Sequence, residues 1–242
     1  MRSVNFSRGL CLFLIGVLLA ACGSDPAAPE VQEGMGGNDP GIAGSGGGTS
    51  GSAGSTDGGS GGSTSALYPA GPYGRAKGSV LQDMTFAGLR NPKAADYKAT
   101  EANIENISFR NFYNPTADPG KTLALVVNAS ALWCSACQVQ AETTMADYAY
   151  WHPKGVEFLE TVFEDDNNNP AKLVHLEQWA KTYGFEFPTV LDPTLKLGAF
   201  FNKSASPFNM IIDTRTMTIV VAMEGVLDTS AGNKTLKELT GQ

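Results

Sequence analysis

Histidine, cysteine and clustered positive charge are all scarce in this sequence. Two histidines, His152 and His175, and four cysteines, Cys11, Cys22, Cys134 and Cys137, stand among 242 residues. A structural zinc site needs a full set of Cys and His ligands, normally from two paired spacings. The chain has one such spacing, Cys134-x-x-Cys137, and no second, which argues against a metal centre. Basic residues number 17 against 24 acidic ones, a net charge of −7, with no run of Lys or Arg. Nucleic-acid binding demands clustered Lys and Arg, so the balance argues against a nucleic-acid partner and against purely electrostatic attachment to a membrane. A third scarcity is local. Between Gly23 and Ser65 there is no aromatic residue, no Lys and no Arg, while 15 of these 43 residues are Gly and 8 are Ser. Such a tract cannot bury enough apolar surface to offset its chain entropy and is expected to be disordered, with an r.m.s. span of roughly 36 Å. All 20 aromatic residues beyond the leader fall between Ala66 and Gln242. The buried core, and any site that needs shape, therefore belong to residues 66–242, whose own net charge is −4.

Residues 1–21 read as an export signal. Arg2 and Arg8 supply a positive start, and Leu10 to Leu19 form an apolar stretch too short to span a bilayer comfortably. The stretch ends in Leu19-Ala20-Ala21-Cys22, which resembles the lipobox of bacterial lipoproteins. The resemblance implies that the Cys22 sulfur carries diacylglycerol and becomes the new N-terminus after cleavage. The domain would then hang from a membrane of the bacterial cell envelope on the 22–65 tether, in the periplasm or at the cell surface. Gly23, rather than an acidic residue, follows the cysteine, which favours the outer membrane. An ordinary signal peptide with a cysteine at its cleavage site, and a plain transmembrane anchor, are the alternatives.

Cys11 lies inside the apolar signal and Cys22, on the lipobox resemblance, would be taken by lipid, which leaves Cys134 and Cys137 as the thiols of the folded domain. In an oxidising compartment such a pair is either a stable disulfide or a dithiol that cycles. Residues 122–129 (TLALVVNA) are a continuous apolar run, as expected for a strand buried on both faces. A helical stretch is expected from about Cys137 to Tyr150. Cys134 thus sits where a strand feeds a helix N-terminus, whose free N–H groups and dipole favour a thiolate. Cys137 lies one turn further in. One exposed attacking thiol and one buried resolving thiol are what disulfide exchange requires.

At these residues the sequence resembles the thioredoxin superfamily, and within it the TlpA-like membrane-anchored thiol–disulfide oxidoreductases, over roughly residues 79–241. The matching elements are Ile107-Ser108-Phe109 before a turn, Gly120-Lys121 ahead of the first core strand, and Asn128 six residues before Cys134. To these are added Trp133-Cys134-Ser135-Ala136-Cys137, Phe187 to Pro193, and Ser206-Pro207 ahead of the apolar strand Phe208–Asp213. The resemblance implies an α/β, thioredoxin-like fold: a central mixed β-sheet flanked by helices, with an N-terminal β extension. It implies that Cys134 and Cys137 are catalytic, that Trp133 shapes the partner surface, and that Ser206 and a cis Pro207 hold the partner chain. No cofactor is implied. The partners would be protein thiols and disulfides, with electrons from an unidentified membrane donor. The sequence departs from the family in its dipeptide Ser135-Ala136, which lacks Pro, and at Gln140, where the family often has Glu. The family's buried acid is therefore missing, or Glu142 stands in for it.

The remaining elements fit one sheet. Residues 156–163 (VEFLETVF) make a second buried strand, and Asn169 with Pro170 is expected to open a helix running to about Tyr183. Residues 208–213 and 217–223 suggest a hairpin, and a last helix from about Ala231 to Leu239 has Thr229 and Ser230 as candidate caps. Gly74, Gly78 and Pro92 suggest turns between short strands in residues 66–120. The acidic stretch Glu164–Asn169 lacks the Gly and terminal Glu of a calcium loop and reads as a solvated connection. His152 and His175 read as surface or packing residues.

The function expected is thiol–disulfide exchange with exported proteins. No charged residue flanks the cysteines from Asn128 to Gln140, so the attacking thiol is expected to be only moderately acidic and the protein a reductase. A thiol peroxidase is one rival, although its relatives place Thr or Ser where Ala131 stands. A copper-delivery module would space its cysteines differently and add a His. A display domain with a merely structural Cys134–Cys137 bond is the non-enzymatic reading.

Overall fold

The apolar run expected at 122–129 forms the central strand two residues further on: β3 is Ala124–Ala131, and all eight of its residues are buried. The computed structural model describes residues 67–242. The signal, Cys22 and the tether lie outside the described residues. Seven strands form one mixed sheet in the order β2-β1-β5-β4-β3-β6-β7. They are β1 (Thr85–Leu89), β2 (Glu105–Ser108), β3, β4 (Val156–Glu164), β5 (Thr189–Leu191), β6 (Phe208–Asp213) and β7 (Thr218–Glu224). The pairs β3–β4 and β4–β5 are parallel and the others antiparallel. Parallel neighbours need a crossover. Helix α1 (Ser135–Trp151) connects β3 to β4, and α2 (Leu173–Tyr183) connects β4 to β5. A third helix, α3 (Thr229–Thr240), follows β7 and is tied to α1 by the Trp151 indole, whose Nε1 donates to Asn233 Oδ1 at 3.0 Å. Among the described residues no helix is long and apolar enough to cross a membrane.

Three helix starts differ from expectation, each because another acceptor takes the free N–H groups. The first helix begins at Ser135, two residues early, with Cys134 itself as the cap. Asn169 and Pro170 do not open α2. The Asp165 carboxylate accepts from the backbone N–H groups of Asn167 and Asn169, 2.8 and 2.9 Å, and Ala171 N donates to Phe163 O at 2.9 Å. That folds residues 165–171 back along the end of β4. The helix starts at Leu173 instead, where His175 Nδ1 accepts from Lys172 N at 3.1 Å, so His175 is a cap acceptor. In α3 the cap is Asp228, whose Oδ1 accepts from Ser230 N at 2.9 Å, and Thr229 and Ser230 are already inside the helix.

The segment before β3 reaches both edges of the sheet. Residues 78–81 run beside the start of β7: Gly78 N donates to Ile219 O, Ile219 N to Ser79 O, and Leu81 N to Met217 O, at 2.8–2.9 Å. The chain then crosses to the far side, where β1 pairs with β5 and carries β2 as the outermost strand. Gly88 in β1 lies so close to β5 that a Cβ there would strike Thr189 O and Val190 Cα. This is a requirement for glycine set by backbone approach rather than by a turn.

Candidate active site

The sheet register brings the sequence-predicted residues to one end. Ala129 of β3 lies opposite Phe208 of β6, so Trp133-Cys134, just past the end of β3, emerges on the side where Ser206-Pro207 leads into β6. The Ser206–Pro207 peptide bond is cis. Pro207 is buried and Ser206 half-buried. Gly225 N donates to Pro207 O at 2.7 Å, joining this loop to the end of β7.

Cys134 and Cys137 form a disulfide with Cα atoms 5.2 Å apart. As the N-cap of α1, Cys134 accepts the N–H of Cys137 on its sulfur at 3.1 Å. The same donor, with the helix dipole behind it, would stabilise a thiolate at Cys134. The contrast expected between an exposed and a buried sulfur is slight: Cys134 retains 4% of its surface and Cys137 1%. The reason is that Cys137 faces the sheet from the first turn of α1 and the disulfide draws Cys134 in after it.

Beneath α1 lies a polar cluster that sequence reasoning missed. Gln140, one turn after Cys137, exchanges two hydrogen bonds with Asn209, at 2.9 and 3.0 Å, and accepts from Leu227 N at 2.9 Å. A glutamate could not make the donating half of that exchange, so Gln140 here is a structural tie between α1, β6 and the connection into α3. With its amide turned to satisfy both sides, Asn128 accepts from Gln140 Nε2 and donates to both carboxyl oxygens of Glu160, at 3.2 and 3.0 Å, and to Ser130 Oγ at 2.6 Å. Glu160, in the middle of β4, is fully buried and accepts the indole N–H of Trp179 at 3.0 Å. Burial pushes its pKa up to about 8, against the hydrogen bonds from Ser130 and Trp179, which pull the other way. At neutral pH the carboxyl is mostly protonated. Glu142, the residue considered for a buried acid, is exposed. A cavity of about 60 Å³ lined by Asn128, Gln140, Thr143, Thr144, Asp147 and Glu160 adjoins the cluster, enough for a few waters. The available signal was Glu160's place within an apolar, doubly buried strand, where a carboxyl must be neutralised or paired.

Trp133 is half-buried beside the disulfide loop, with its ring edge-on to Phe163 at 6.4 Å. Its Nε1 donates to Glu164 Oε2 at 2.9 Å, and the other oxygen of Glu164 accepts from Lys203 Nζ at 2.7 Å. The structure thus supplies charged groups near the active loop from β4 and from the 203–205 turn, where the local sequence had none.

No protein-family model matches this chain, and no curated protein matches it in sequence. Solved structures do match in shape. The protein described as thiol:disulfide interchange protein DsbE from Chlorobium tepidum is 14% identical, with a TM-score of 0.51 over 69% of this chain and 100% of its own. A secreted thiol-disulfide isomerase from Corynebacterium glutamicum is 12% identical, with a TM-score of 0.50 over 73% of this chain and 99% of its own. At such identities the likeness concerns the fold. The chain has the thioredoxin-like α/β fold of these structures, with a Cys-x-x-Cys pair closed as a disulfide at the end of the central strand.

Proposed function

We propose that this protein is a thiol–disulfide oxidoreductase of the bacterial cell envelope that reduces disulfides in exported proteins. The observation that carries the reading is Cys134 as the N-cap of α1, its sulfur already accepting the Cys137 N–H. In the reduced form the Cys134 thiolate attacks one sulfur of a partner disulfide, that bond breaks, and the partner's other sulfur leaves as a thiolate. Cys137 then loses its proton and attacks Cys134 Sγ, which expels the partner's second thiolate and leaves the disulfide described above. In this reading the Cys137 proton ends on the departing partner thiolate. Trp133, Ser206 and Pro207 form the partner surface, and the partner chain lies extended against the backbone at Ser206-Pro207. Cys22 carries the lipid, and a membrane electron donor returns two electrons and two protons to the pair.

The reducing direction is supported by electrostatics. The cation that joins the active loop, Lys203, is spent on Glu164, and a strong oxidant needs extra stabilisation of its thiolate. The burial of both sulfurs favours a second reading, a purely structural disulfide. Equilibration of the full chain with redox buffers, followed by thiol alkylation, separates the readings. A midpoint between roughly −300 and −200 mV is expected. A bond that resists reduction to well below about −300 mV would be structural, and one more oxidising than about −150 mV would make the protein an oxidase.

A further inference from the structure

Two loops must hold a fixed separation for a thioredoxin-like groove to accept an extended chain: the one with Trp133-Cys134 and the one with Ser206-Pro207. Nothing in the local sequence of either explains how that separation is set. Glu164 reaches both. It ends β4 at an irregularity in the parallel ladder, where Ser130 pairs with Val162 but Ala131 pairs with Glu164, so Phe163 is an extra residue. The Glu164 backbone carbonyl accepts from Leu132 N at 3.0 Å, immediately before Trp133. Its side chain is largely buried, 12% exposed, and divides its two oxygens: Oε2 takes the Trp133 indole N–H and Oε1 takes the Lys203 ammonium. Lys203 opens the short turn that leads into Ser206-Pro207, and its carbonyl accepts the Ser206 hydroxyl at 2.7 Å. A line of rings runs in parallel. Phe163 touches Trp133 on one side and Phe201 on the other, and Phe201 stacks at 4.9 Å on Phe208, the residue after Pro207.

We propose that Glu164 is a positioning residue that clamps the Trp133 loop to the Ser206-Pro207 loop through Lys203, preforming the groove for an extended partner chain. The inference rests on the oxidoreductase reading for its substrate and deepens it. The carboxylate does two things at once. It fixes the indole plane, because a buried anion accepts a strong, directional hydrogen bond. It also holds the second loop through a cation that stays half-exposed, at 48%, so that this arm weakens with salt while the indole arm does not. A groove whose walls are fixed in advance gives up little ordering entropy on binding. Loss of the clamp should therefore raise KM more than it lowers kcat.

The test uses the full chain and an uncharged peptide containing one disulfide, with Glu164→Ala, Glu164→Gln and Lys203→Met. Glu164→Ala is expected to raise KM roughly tenfold, with kcat and the midpoint potential nearly unchanged, and to shift the Trp133 indole N–H resonance. Glu164→Gln keeps an acceptor for the indole, so the resonance and part of the KM are rescued. Lys203→Met raises KM by a smaller factor, leaves the indole resonance in place, and removes the salt dependence of KM. An unchanged KM in Glu164→Ala or Lys203→Met, or a fall in kcat at constant KM, overturns the proposal. If the wild-type chain turns over no disulfide at all, the oxidoreductase reading fails. The clamp is then decided by the indole resonance alone, which must move in Glu164→Ala and stay put in Lys203→Met.

Discussion

Replacing Glu160 by Gln turns a buried acid into a neutral side chain of the same shape, and its effect on stability can be worked out from the structure. Burial raises the carboxyl pKa from 4.5 to about 8. Between those values the native state keeps a proton that the unfolded state has released. The group's full contribution is therefore present below about pH 4.5 and is lost progressively as pH climbs to about 8. Stability falls with pH inside that window, so wild-type protein loses roughly 2–3 kcal/mol from this residue between pH 5 and pH 7. The Gln variant loses none of it. Its amide oxygen still accepts from Trp179, and the Asn128 amide can turn to meet its nitrogen. Burial also raises the pKa of Asp147, Glu157 and Asp192, but these are common to both proteins and cancel in the difference. Urea unfolding of both oxidised proteins at pH 5, 6 and 7 is the measurement. The variant should gain on the wild type steadily as pH rises. A gap that stays constant within about 0.5 kcal/mol across this range would mean that Glu160 is ionised in the native state and that the cluster beneath α1 holds a charge.

Other perturbations probe the chemistry and the frame. Cys137→Ser should accumulate mixed disulfides with partner proteins, seen as reducible adducts on gels, and Cys134→Ser should not; equal trapping by both would assign the attack to the wrong sulfur. Cys22→Ser should lose its acyl mass and leave the membrane fraction, whereas a wild-type protein that begins at another residue without lipid would rule out the anchor. Gly88→Ala should destabilise the domain by about 2 kcal/mol or more, because the new methyl group strikes backbone atoms of β5 that cannot step aside; an unchanged urea midpoint would contradict the close approach of β1 and β5.

What could be read from the sequence followed local rules. From Leu123 no polar side chain interrupts the run until Asn128, and it is buried from Ala124 on, while the cysteine spacing sets one sulfur at the helix start and the other a turn inside. Ser206-Pro207 was legible by its place before an apolar strand. The helix caps were less so, since Asn169 and Asp228 are both good caps by composition. The Asp165 turn draws Asn169 away from that role, while Asp228 stands free to fill it. Glu160 and Glu164 escaped for a different reason. Their partners, Asn128, Trp179, Trp133 and Lys203, lie 19 to 39 residues away along the chain; the register of β3 against β4 brings up Asn128 and Trp133, while Trp179 comes from α2 and Lys203 from the turn before β6. The strands β1, β2 and β5 are three to five residues long, too short for any periodicity to show, and their pairing is decided by what lies opposite.

The reach of residues 78–108 across the sheet has a consequence for the order in which the domain can assemble. Synthesis delivers this segment first, yet its hydrogen-bonding partners come late: β5 begins at Thr189, and the strand beside residues 78–81 lies past Met217. Until those residues are available, β1 can pair only with β2, its other edge is open, and residues 78–81 have no strand beside them. Contacts of such long sequence separation carry the largest loop-closure cost and slow the final step of folding. The central β3–α1–β4 unit, by contrast, closes from neighbouring residues. The disulfide loop therefore has its helix and its strand before the two edges of the sheet are sealed, and the first part of the domain to be made is the last to be locked.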